Sequence, residues 1–198
     1  MQHKKRILLI SIAIILLIAL GFIFINSRFN VFPQLYSSWN ASSERFQFPD
    51  IKKEELTLPQ QNIVSILERE YAAQPSGTKY SEGVQEPWCA DFVSWIYKQA
   101  GISFKNPNSG SWRIPGTYTL REYYESKGKF RSARSDYQPK VGDIMLYDNP
   151  SQFGQHTNIV IKTNKDIITT VGGNEPGGIR VFQHKEQGAA GFIGYGEL

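Results

Sequence analysis

The chain has 198 residues, 40% of them hydrophobic and 20% charged, which is room for one folded domain plus extensions. Its single cysteine excludes an internal disulfide. The net charge of +4 gives no support to a nucleic-acid partner, because Lys4, Lys5 and Arg6 supply three of those charges and the remainder is close to neutral.

Taken in chain order, the first element reads as a membrane anchor. His3-Lys4-Lys5-Arg6 precedes residues 7–25, which are apolar except for Ser11. At about 1.5 Å per residue this stretch spans roughly 28 Å, close to the hydrocarbon thickness of a bilayer. A cleaved signal peptide has a shorter apolar run and a small-residue cleavage site, and neither is found here. The basic end stays in the cytoplasm, so the rest of the chain is expected outside the cell membrane. The expected division is residues 1–27 as basic start and anchor, 28–57 as an extracytoplasmic tether, and 58–198 as the folded domain.

Ile63, Ile66, Leu67 and Tyr71 recur at helical spacing and predict a first helix over residues 60–73. A polar loop over 76–85 leads into a second helix. Pro87 is placed in its first turn, residues 88–100 contain no further Pro or Gly, and Gly101 stops it. A third helix is expected over 117–127, ended by Gly128. From there the period changes to two. Strands are expected over 143–147, 156–162, 167–171, 179–182 and 192–195, separated by Gly or Asn clusters at hairpin distances. Helices followed by strands predict an α+β fold with an antiparallel sheet packed on the second helix.

That helix carries the only cysteine. Cys89, Val93, Ile96 and Ala100 form one stripe, so the sulfur faces the core from the helix's N-terminal end. There the free N–H groups and the helix dipole favour thiolate over thiol. A lone cysteine on an apolar stripe is usually packing, and a catalytic one needs a histidine and an orienting group. His156 opens the second strand, while His184 reads as an ordinary core or surface histidine. With a three-residue hairpin loop at Asn164-Lys165-Asp166, Thr163 pairs with Ile167 and His156 with Asn174. Directly opposed Cβ atoms lie about 4.5–5.5 Å apart, within reach of an amide holding an imidazole nitrogen. A two-residue loop would pair His156 with Gly173 and turn Asn174 to the other face.

Four blocks in order carry a resemblance: Pro87-Trp88-Cys89-Ala90-Asp91-Phe92-Val93, Val141-Gly142-Asp143-Ile144, His156-Thr157-Asn158-Ile159-Val160 and Gly172-Gly173-Asn174. Together they resemble the CHAP domain, the cysteine- and histidine-dependent amidohydrolases/peptidases, over about residues 60–198. The resemblance implies a papain-like fold and cleavage of an amide in bacterial peptidoglycan, in stem or bridge peptides or at the N-acetylmuramoyl–L-alanine link. It implies Cys89 as nucleophile, His156 as general base and Asn174 as the polar group beside the histidine. Many members have Glu two residues before this Asn. Here that position is Gly172, which leaves Glu175 and Asn158 as further candidates for the third member. Gln85 is a candidate oxyanion donor, and the expected substrate-binding residues are Trp88, Gln85, Trp112, Gly173 and Glu175. Some members bind calcium through acids before the cysteine. Residues 80–88 offer only Glu82 and Glu86, so neither a metal nor any other cofactor is expected.

The expected partners are a peptidoglycan peptide as substrate, the membrane through residues 7–25, and an envelope protein as a possible further contact. A non-catalytic peptidoglycan-binding or scaffold module, and an acyltransferase using the same dyad, are the alternative readings.

Overall fold

The structure, a computed structural model, describes residues 46–149, 151, 154–165, 167–185 and 190–198. The expected anchor over residues 7–25 lies outside the described residues, as does most of the expected tether. Among the described residues no helix is long and apolar enough to cross a membrane. Residues Phe46–Leu198 form one unit.

Three helices precede most of the sheet, as the change of period predicts: α1 (Leu58–Ala73), α2 (Cys89–Gln99) and α3 (Thr117–Ser126). Pro59 lies in the first turn of α1, where the Thr57 N–H donates to Gln60 Oε1 at 3.0 Å. Helix α2 begins two residues after Pro87, which the sequence places in its first turn. Trp88 is its cap and Pro87 lies outside the first turn, while Gly101, at φ +81°, ends it as expected. The predicted stripe is buried, with Cys89 5% exposed, Val93 and Ile96 fully covered and Ala100 at 7%.

The strands are β1 (Phe130–Ser132), β2 (Ile144–Tyr147), β3 (His156–Asn164), β4 (Ile167–Glu175), β5 (Gly178–Lys185) and β6 (Phe192–Gly196). They form one antiparallel sheet in the order β1-β6-β2-β3-β4-β5. Strand β1 was not expected, since three residues are too few to show a period. Ile144, Leu146, Ile159, Ile161, Val171, Ile179 and Val181 pack with the helices. Met145, Tyr147, Val160, Ile168 and Tyr195 form a second cluster, as the alternation of a pleated strand requires.

The β3–β4 hairpin has a two-residue loop, with Asn164 opposite Ile167, instead of the expected three. One extra residue at Ile161 then shifts the pairing, so that Ile159 faces Val171. That is the register a three-residue loop would have produced. The Val141-Gly142-Asp143 turn is held by buried Asp143, whose Oδ2 accepts from Tyr137 Oη and the Lys140 N–H, both at 2.7 Å. Residues 46–57 do more than tether the domain. Phe48 and Ile51 pack against the core, and Tyr71 Oη donates to the Phe46 carbonyl at 2.9 Å.

Candidate active site

Two element ends meet at the site: Cys89 is the first residue of α2 and His156 the first of β3. A side-chain hydrogen bond joins them. Both residues are nearly covered, at 5% and 4% exposure. The ring's Nε2 lies 2.7 Å from Glu175 Oε1, which leaves Nδ1 for the sulfur. Burial works against a charged ring here. Hydrogen bonds with Cys89 and Glu175, and the charges of both, outweigh it, and the His156 pKa is pushed up to about 9.

The partner of His156 therefore differs from the one the register argument pointed to. Asn174 is exposed and has φ +59°, whereas the Glu175 side chain is 2% exposed. Asn158, the other candidate raised from the sequence, is fully buried on the face of His156. His184 is a buried core histidine, with Thr170 Oγ1 at 2.9 Å and Tyr147 Oη at 3.5 Å. Burial, and then the charge of His156, lower its pKa to about 4, so it stays neutral.

Trp88 is held from three sides. It stacks on Tyr80 with ring centroids 5.3 Å apart and meets Phe92 edge-on at 6.1 Å. A Cβ built on Gly173 would lie 2.4 Å from Trp88 Cζ3 and 2.7 Å from Phe92 Cγ. Buried Glu70 of α1 fixes Tyr80 in turn, accepting from its hydroxyl at 2.8 Å and from Lys79 Nζ at 2.5 Å. Trp88 and Gly173, both expected to touch substrate, thus pack on each other and set the position of Cys89.

The family model described as "CHAP domain" matches residues 79–174, a span that contains Cys89, His156 and Gly172-Gly173-Asn174. Over that span, just under half of its length, the chain is similar to the CHAP domain. No curated protein and no solved structure matches the chain. CHAP domains are typically cysteine- and histidine-dependent amidohydrolases that act on peptidoglycan.

The remaining expected residues lie on the segments before and after α2. Gln85 is exposed four positions before the cysteine. Trp112 is half-buried beneath Lys98, whose ammonium lies 4.0 Å from the ring centroid. Sequence reasoning missed the residues that fasten the 102–116 segment to α2. Arg113 Nε lies 2.7 Å from Oδ1 of fully buried Asp91, and its Nη2 pairs with Glu86. One turn on, Ser94 Oγ accepts from the Ile114 N–H at 3.1 Å. Asp91 and Ser94 at i, i+3 on the cysteine helix were the available signal, since polar residues three apart share a face. Among the described residues, no three His, Cys, Asp or Glu side chains are grouped to hold a metal ion.

Proposed function

We propose that this CHAP-like domain is an extracytoplasmic hydrolase that cuts an amide in peptidoglycan, in a stem or bridge peptide or at the N-acetylmuramoyl–L-alanine link. The observation that carries the reading is the hydrogen-bonded Cys89–His156 pair, with a buried carboxylate on the far ring nitrogen. The cysteine on a helix end and the histidine on a strand end support a papain-like arrangement.

The chemistry follows from that geometry. His156 holds the proton lost by Cys89, and the sulfur attacks the amide carbonyl carbon. The backbone N–H groups at the start of α2, with Gln85 as a second donor, would stabilise the oxyanion. His156 then protonates the amine as the C–N bond breaks and a thioester remains. A water molecule gives its proton to His156 and attacks the thioester. The acid departs and the sulfur takes the proton back. Trp112 and the exposed rim around Gln85 are the residues expected to meet substrate. Residues 7–25 would hold the domain at the outer face of the membrane.

The test uses the detergent-solubilised full chain and its Cys89→Ala counterpart on purified sacculi, with released fragments identified by mass spectrometry. Fragments ending at one kind of amide, from the Cys89 protein only, are expected. Equal release from both proteins would remove the reading. An added amine appearing in the product in place of water would favour the acyltransferase.

A further inference from the structure

Four residues of β4, from Gly172 to Glu175, depart from a regular strand. In regular β structure residues 172 and 174 share a face. Here β4 holds one extra residue, because its pairing with β5 slips from Gly172–Arg180 to Glu175–Gly178. Asn174 absorbs the slip in the left-handed region, at φ +59°, where Asn is tolerated better than most side chains. The bulge turns Asn174 out to solvent and brings residue 175 onto the face of His156.

Room for that carboxylate comes from a missing side chain. A Cβ built on Gly172 would lie 2.7 Å from Glu175 Oε1, 3.2 Å from His156 Nε2 and 3.2 Å from Asn158 Cβ. Glu175 thus fills the space that a side chain at 172 would take, and an alanine there would already collide with it.

We propose that Glu175, in place of Asn174, is the positioning residue for His156, and that the absence of a side chain at 172 is what admits it. The proposal rests on reading Cys89 and His156 as a reactive pair. Glu175 acts through the ring. It fixes the ring's orientation, leaves Nδ1 to face Cys89, and stabilises the imidazolium that forms when the ring takes the proton. The other titratable groups on this ring are Cys89 from α2 and neutral His184 from β5, with Tyr147 beside it on β2.

The test is the rate at which iodoacetamide alkylates Cys89 in the full chain, followed against pH. An ionised pair gives two steps, the upper one marking loss of the ring proton. Glu175→Gln keeps the shape and removes the charge, and is expected to move the upper step down by about one pH unit or more. Asn174→Gly, which suits the left-handed backbone, is expected to leave that step in place. The exchange variant, Gly172→Glu with Glu175→Gly, is expected to bring it back toward the native position. An unmoved upper step in folded Glu175→Gln, or one moved by Asn174→Gly, overturns the proposal. If Glu175→Gln does not fold, the exchange variant decides: a native-like step supports the proposal and a lowered step overturns it. Alkylation reads the pair and not hydrolysis. A chain that shows the shift but releases nothing from sacculi overturns only the hydrolase reading.

Discussion

Around Gly173 the site leaves no room for even a methyl group. Its backbone is compatible with alanine, so any effect of Gly173→Ala comes from the collision with Trp88 and Phe92. Overpacking of this kind costs roughly 1–3 kcal/mol. The variant is expected to lose that much in urea unfolding and to alkylate Cys89 more slowly, because Trp88 caps the helix the cysteine begins. An unchanged midpoint would mean that both rings can retreat without loss. At this scale the sequence was informative where chemistry is carried by residue type. A lone cysteine at a helix start and a histidine at a strand start were visible as candidates. Glu175 was visible only as one acid among several, since nothing in the order Gly-Gly-Asn-Glu shows which of Asn174 and Glu175 turns inward.

Elements were legible from their periods, and their junctions were not. The three helices and five of the six strands lie where the hydrophobic spacing puts them, whereas both departures in β3 and β4 are single-residue bulges. A bulge inverts every side chain beyond it yet leaves composition unchanged, so alternation alone cannot locate it. The same limit hid the link between α2 and the 102–116 segment, because a buried Asp reads like a solvated one until its partner is known. That link is testable. Arg113→Ala leaves fully buried Asp91 without its cation, and breaking a buried pair in this way costs about 3–5 kcal/mol. Asp91→Asn with Arg113→Met removes both charges and is expected to cost less than Arg113→Ala alone in chemical denaturation. A double variant as unstable as the single one would show that the pair's charge is not what holds the segment on the helix.

For the whole molecule, the His156 pair couples the fold's stability to pH. The ring's pKa is about 9 in the folded chain, against about 6.5 for an unperturbed histidine. A pKa raised on folding means that the folded state holds the proton more tightly. The stabilisation is fully present below about pH 6.5 and is lost as pH rises through about 9. A shift of this size corresponds to on the order of 3 kcal/mol. Burial, and then the charge of Glu82, raise the pKa of the Asp91 carboxyl to about 7. It adds a fall in stability that ends near pH 7 and is common to the native chain and the His156 and Glu175 variants. Burial raises the pKa values of Tyr80, Tyr97, Tyr137 and Tyr147 above their usual 10, so they act at higher pH. His184, lowered to about 4, acts on the acid side of 6.5. Urea unfolding between about pH 6.5 and 9 is therefore expected to show stability falling with pH in the native chain. His156→Gln should flatten that fall and Glu175→Gln should lessen it. Parallel curves for the native chain and His156→Gln would mean that the ring and Cys89 together hold no more protons in the folded state than in the unfolded one. A thiol that gives its proton to the ring cancels the ring's gain in this count, so the ionisation of the pair is read from the alkylation profile.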